Sequence, residues 1–211
     1  MIHEHVVVFG ATGRVGAEVV DQALEAGHLV TAVARDPTRV TRRHDRLRVV
    51  KGDTLDPPTV VAALSDEVSP VTAVVMAAGD DPRKASTLVT NSVINIMAAM
   101  TETGVHRYLG ISGTAQMAAT AWGRVSQLIG QSSFKAAADH QGAFDVLAAS
   151  SLDYVLAGCP HIKEGPTGHY TQQPGRFAGG YKTITPGEVA DFLVRQLQTP
   201  SYHRQIVGIW H

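Results

Sequence analysis

The stretch "VVVFGATGRVGAEVV", residues 6–20, decides the fold. A β-branched run ends in a loop with Gly10, Gly13 and Gly16 at three-residue spacing, and the chain resumes with apolar residues at helical spacing. A strand-to-helix turn needs one glycine, or at most two, because glycine reaches positive φ without a Cβ penalty. The third implies that something lies against the backbone. In a strand–turn–helix unit the first glycine permits the tight turn and the second lets a pyrophosphate approach the main chain. The third lets the helix pack closely on the strand. The start of the helix then offers unpaired N–H groups and a positive dipole end to the phosphates. Gly10, Thr12, Gly13, Arg14, Val15 and Gly16 are therefore candidate dinucleotide-binding residues. Arg14 reads equally as a phosphate contact or as a surface residue.

Working outward, short apolar runs alternate with helix-patterned segments. "HVVVFG", "LVTAVA", "LRVVKG", "VTAVVMAAG", "RYLGIS" and "LDYVLAG" read as buried strands, being apolar throughout rather than alternating. Helices are expected from Arg14 to a stop at Gly27, after an Asp56–Pro57 start, from Ser86 to Thr103, from about Ser133 to Ala149, and from Thr185–Pro186 onward. This alternation predicts an α/β fold: a single Rossmann-type, doubly wound parallel sheet of order 3-2-1-4-5-6. One domain spans residues 1–211, with a short C-terminal substrate loop region at about 159–182 and a shallow, open substrate pocket.

Composition narrows the function classes. The 211 residues carry 18 Lys and Arg against 19 Asp and Glu. That balance argues against a nucleic-acid or anionic-membrane surface. The densest basic stretch, "RVTRRHDR" at 39–46, reads as a solvated face. The lone cysteine, Cys159, excludes an intrachain disulfide and a cysteine-based zinc site, and no metal is expected. A strand from about residue 5 leaves no room for a signal peptide, and no apolar run would span a bilayer. The expectation is a cytoplasmic monomer or small homo-oligomer.

The end of strand two indicates which dinucleotide. NAD sites usually carry an acid there for the ribose hydroxyls. Here "VARDPTRV" places Arg35 before Asp36, and Asp36 is explained as an N-cap preceding Pro37. Arg35 then faces the 2′-phosphate, favouring NADPH over NADH, or is an exposed charge at a strand end. "KGDTLD" places Asp53 and Thr54 beside the adenine, or in a simple turn, with Asp56 capping the next helix. Ala77, Ala78 and Gly79 after strand four are small enough to let the ribose and nicotinamide pass.

The opening motif, Arg35 and "GDTLD" resemble the atypical short-chain dehydrogenase/reductase superfamily, in its branch of NmrA-like and NAD(P)H-binding proteins. "DHQGAFDVLAASSLDYVLAGCPHIKEGPTGHYT" is similar to the biliverdin-IXβ reductase (NADPH-dependent flavin reductase) family. The shared features are Asp139–His140 opening a helix, the strand "LDYVLAG", Pro160–His161–Ile162 and "PTGHYT". The resemblance covers nearly the whole chain. It implies hydride transfer from NADPH to flat conjugated acceptors, chiefly free flavins and certain linear tetrapyrroles, with flavin as substrate rather than prosthetic group. It also implies that Pro160, His161 and Ile162 lie near the nicotinamide, with His161 orienting the substrate or relaying a proton. The bland reading of His161 is a loop histidine bonded to the backbone. His140 matches a family position near the nicotinamide, or is a surface histidine. Ser112 is followed by Gly113 where the family has two adjacent hydroxyl residues. The loop "GDDPRKAST" also departs, so the family's basic residue there is not carried over to Arg83.

The alcohol-oxidising members use a Tyr-x-x-x-Lys pair. Lys135 stands near that place, but position 131 is Gln131, so that route is not expected. Hydride transfer to a planar ring needs less of the protein, which mainly holds two rings face to face. The competing readings are a non-catalytic NADP(H)-binding redox sensor of NmrA-like type and a quinone reductase. A sugar-nucleotide epimerase would lack its tyrosine.

Overall fold

A computed structural model describes residues 3–79, 86–117, 134–177 and 180–211. The expected position of Arg83, Gln131 and the start of a helix at Ser133 lie outside the described residues. The strands are β1 (His5–Phe9), β2 (Leu29–Ala34), β3 (Leu47–Lys51), β4 (Ala73–Met76), β5 (Arg107–Gly113), β6 (Asp153–Cys159), β7 (His161–Ile162), β8 (Thr171–Pro174), β9 (Thr183–Ile184) and β10 (Gln205–Trp210). The helices are α1 (Arg14–Glu25), α2 (Pro57–Leu64), α3 (Leu88–Thr103), α4 (Phe134–Ala149) and α5 (Pro186–Gln198).

The main sheet runs β3-β2-β1-β4-β5-β6-β10-β8. Its first six strands are parallel and have the expected 3-2-1-4-5-6 order. Successive residues of each strand point to opposite faces, and both faces are covered. Val6 and Val8 pack toward α1 and α5, alongside Val19, Phe192 and Leu193. Val7 and Phe9 pack toward α2, α3 and α4, alongside Val60, Ile96 and Leu147. A strand buried on both sides has no use for alternation, so its sequence is apolar throughout.

The structure extends and corrects the sequence reading. The sheet has eight strands: "QIVGIW" forms β10, parallel to β6, and β8 adds an antiparallel edge on β10. The stretch 159–182, expected as a loop, contains β7 and β8. β8 is the polar "TQQP", which an exposed edge tolerates because no core face must be filled. β3 is an edge strand and only half buried. Asp56 stands at the N-cap position of α2, but its side chain caps nothing.

One buried group makes stability pH-dependent. His28 is fully buried, and its Nδ1 accepts from the Glu4 N–H at 3.1 Å while Nε2 has no partner among the described residues. Burial lowers its pKa below 6.5, against the opposing pull of Glu4. The unfolded chain therefore takes up a proton below pH 6.5 that the folded chain refuses, so stability falls as pH drops through this window. Thermal unfolding at about pH 7.5 should occur at higher temperature than at about pH 5.5, and His28→Asn should flatten the difference. Parallel pH profiles for the two proteins would contradict this.

Candidate functional site

β1 connects to β2 through α1 on one face, and β4 is the next strand on its other side. That switch point opens a crevice at the carboxyl ends of the strands, where such sheets bind ligands. A cleft of about 240 Å3 occupies it.

The glycine turn forms the floor. Gly10 has φ +77°, and a Cβ there would overlap the Ala78 nitrogen and lie 2.7 Å from the Ala77 carbonyl carbon. A Cβ on Gly16 would overlap the Gly10 carbonyl oxygen, so α1 begins in backbone contact with the turn. Gly13 stands at the N-cap of α1 and donates its N–H to the Gly10 carbonyl at 2.9 Å. Among the described residues no side chain is seen to accept from its first N–H groups, and its first turn holds no acidic residue. The orphan N–H groups of Arg14, Val15 and Gly16 are thus left for an external anion.

The far wall carries positive charge. Asp36 accepts from the Thr38 N–H at 3.1 Å and the Thr38 hydroxyl at 2.6 Å, and these bonds hold its pKa below the usual carboxylate range. It therefore caps the short turn Pro37–Arg39 and is engaged locally. That turn brings Arg39 round to line the cleft beside Arg35. Both arginines are exposed, and among the described residues neither has an ion-pair partner. Arg39, read from sequence as part of a solvated basic face, is the principal residue that reading missed. Its signal is the four-residue spacing from Arg35 around an Asp–Pro cap.

Asp53 and Thr54 line the same wall. One Asp53 oxygen accepts from the Leu55 N–H at 3.0 Å. Thr54 is fixed from α3, through the Ser92 hydroxyl at 2.6 Å and the Asn95 amide donating to the Thr54 carbonyl at 2.9 Å. Opposite them lie Ala77, Ala78 and Gly79, and a Cβ on Gly79 would meet nothing within 4 Å. Phe9, Val33, Ala34 and Leu88 complete the lining as apolar surface, and apolar character alone could not mark them out in the sequence.

The remaining candidates lie elsewhere. Ser112 and His140 line a separate void of about 10 Å3, room for about one water, with Ala78 as the wall shared with the cleft. Burial holds the His140 pKa below its ordinary value and favours the neutral ring, against the opposing pull of Asp139. Asp139 and His140 do not open a helix; they lie within α4. The Asp139 carboxylate instead accepts from the Val89 and Thr90 N–H groups at 2.9 and 2.8 Å, capping α3 from a neighbouring helix. Its partners sit about 50 positions away, beyond any local pattern.

Pro160, His161 and Ile162 follow β6 directly at the carboxyl edge. Arg14 does not line the cleft; its guanidinium donates to the Ile162 carbonyl at 3.3 Å and to Glu164 at 3.4 Å. These contacts seat β7 beside the start of α1. The His161 ring meets the Tyr181 ring at 5.1 Å and 30°. β7 pairs with β9, which Glu188 secures. This fully buried carboxylate accepts from the Thr185 and Gly168 N–H groups at 2.9 and 2.8 Å and contacts the His211 ring at 2.7 Å. Tyr170 adds a hydroxyl bond to Asp191 at 2.8 Å, so the "PTGHYT" element is clamped onto α5. The capping box Thr185–Glu188 is legible as T-x-x-E.

Among the described residues no cluster of His, Cys, Asp or Glu could hold a metal ion, and no helix is long and apolar enough to cross a membrane. The donor set fits a dinucleotide: orphan N–H groups for a diphosphate, a Cβ-free approach to the main chain, and cations at the ribose end.

Solved structures share this architecture. A short-chain dehydrogenase/reductase from Veillonella parvula in complex with NADP superposes with a TM-score of 0.82 at 16% identity, covering 100% of this chain and 95% of that one. An oxidoreductase from Lactococcus lactis gives 0.77 at 18% identity over 97% and 90% of the two chains. A Streptococcus pneumoniae protein provisionally named an NADH-flavin reductase gives 0.76 at 19% identity over 99% of each. At these identities the likeness is one of fold. A family model described as NAD(P)H-binding matches residues 10–200, nearly the whole length. The chain belongs to this NAD(P)H-binding family.

Proposed function

We propose that the protein is an NADPH-dependent reductase that passes hydride to flat conjugated acceptors: free flavins, linear tetrapyrroles such as biliverdin, or quinones. The observation that carries this reading is the cleft itself, with Arg35 and Arg39 at the ribose end, neither ion-paired among the described residues, and the small Ala77, Ala78 and Gly79 along the opposite wall. A 2′-phosphate between Arg35 and Arg39 would form charge-assisted, paired hydrogen bonds that NADH cannot make. The small wall leaves room for a ring to lie flat against the cofactor. The likeness of the "PHI" and "PTGHYT" segments to the biliverdin-IXβ reductase branch, and the name of the Streptococcus neighbour, support the same acceptor class.

NADPH, when bound, supplies the hydride, so the chain's own residues have to bind, orient and supply or admit a proton. The first turn of α1 holds the diphosphate through its orphan N–H groups. His161, just after β6 at the carboxyl edge, would orient the acceptor or pass it a proton from solvent. His140, behind Ala78 with Ser112, supports the wall of the cleft from its other side.

The test is an acceptor screen at fixed NADPH. FMN, riboflavin, biliverdin and a simple quinone are each added, and cofactor oxidation is followed by absorbance. Turnover with at least one planar acceptor is the expected result. Tight NADPH binding with no turnover on any of them would identify a redox sensor instead.

A further inference from the structure

We propose that Tyr181, His161 and Lys163 form the seat of the acceptor, and that Lys163 selects planar acceptors carrying an anionic substituent. This rests on the reductase reading and assigns residues to its acceptor side.

Tyr181 is 69% exposed, which no packing role explains. Its ring nonetheless meets two neighbours: the His161 ring lies 5.1 Å away at a 30° tilt, and the Lys163 Nζ stands 4.9 Å from its centroid. Offset aromatic pairs and cation–π contacts of this kind are stable without burial and keep the surface flat and wet on its open side.

Backbone hydrogen bonds tie the base beneath together. His161 is in register with Thr183 and Ile162 with Ile184. The Lys163 N–H donates to the Ile184 carbonyl at 2.9 Å, and the His211 N–H donates to the Thr183 carbonyl at 3.0 Å. Ile184 is fully buried. His161 thus stands in this two-stranded ribbon, Lys163 directly follows β7 and Tyr181 lies two residues before β9, and such backbone pairing lowers the ordering cost of binding.

Position and charge indicate the ligand. Arg14, at the start of α1, bonds to Ile162 and Glu164 on either side of Lys163. The seat therefore adjoins the end of the helix that would hold the diphosphate. Glu164 pairs with Arg14, and among the described residues no carboxylate forms an ion pair with Lys163. An ammonium group beside an aromatic face suits a conjugated ring bearing phosphate or carboxylate at its periphery.

FMN and riboflavin share one ring system and differ by a phosphate, so they separate stacking from charge. Each is titrated into NADP+-loaded protein, read by flavin fluorescence. FMN should bind about tenfold more tightly than riboflavin. Lys163→Met should abolish that ratio while leaving riboflavin affinity unchanged. Tyr181→Ala should weaken both flavins about tenfold, with NADP+ affinity and thermal stability as in wild type. In turnover, Tyr181→Ala should raise the KM for FMN far more than it lowers kcat. A preserved FMN-to-riboflavin ratio in Lys163→Met, unchanged flavin affinities in Tyr181→Ala, or wild-type protein that binds NADP+ but neither flavin would each overturn the assignment. Flavins that bind and respond to both substitutions, yet never oxidise NADPH, would sink the reductase reading and leave the seat standing.

Discussion

Gly16→Ala should cost the protein about 2 kcal/mol of stability and weaken NADPH binding by about 100-fold or more. The direction is informative because local propensity points the other way. Gly16 lies in the first turn of α1, and alanine there favours the helix by about 1 kcal/mol over glycine. The added methyl, however, would overlap the Gly10 carbonyl oxygen, which is backbone and cannot rotate aside. To admit it, α1 must move off the turn. Gly10 has little slack, since it is itself pressed against the backbone of Ala77 and Ala78. The orphan N–H groups then lose their common aim, and hydrogen bonds to a charged group are worth about 1.5–3 kcal/mol each. Denaturant unfolding and calorimetric titration measure the two effects. A stabilised variant with unchanged affinity would show that the third glycine has no packing role.

Glu188→Ala should be the most destabilising change on the C-terminal side, by about 3–5 kcal/mol. It removes the reciprocal capping box of α5 and leaves the N–H groups of Gly168 and Thr185 without acceptors. Burial opposes the charged carboxyl, but the bonds from Thr185, Gly168 and His211 outweigh it and hold the pKa below 4.5. The stability this group contributes is therefore complete above pH 4.5 and lost as pH falls through its lower, folded-state value. Glu188→Gln should fall between the two proteins, since an amide keeps the volume but turns one acceptor into a donor facing an N–H. At about 2–4 °C per kcal/mol for a chain of this size, the alanine variant should melt about 10 °C lower. Equal melting temperatures for alanine and wild type would remove Glu188 from the clamp that holds β9 beneath His161.

The strands of the central sheet were legible because burial on both faces leaves an unmistakable apolar run. "QIVGIW" carries that same signature and forms β10, so its omission reflects an incomplete reading rather than a weak signal. β8 is different: a polar edge strand has no pattern to find. The glycine turn, Arg35, Asp53 and Ala77–Gly79 were legible because close backbone approach and charge demand particular residue types. Arg39 required knowing that the Asp36-capped turn bends back toward the cleft. Asp139 capping α3, Arg14 reaching Ile162 and Glu188 meeting His211 join residues distant in sequence, and only the tertiary fold brings them together.

On the proposed reading, this cleft would hold NADPH by its diphosphate and its 2′-phosphate. The most direct test is calorimetric titration of NADPH and NADH into wild type and the double variant Arg35→Ala/Arg39→Ala. Wild type should prefer NADPH, and the double variant should lose about 100-fold or more in NADPH affinity while its NADH affinity barely changes. Equal losses for both nucleotides, or no loss for either, would contradict that reading.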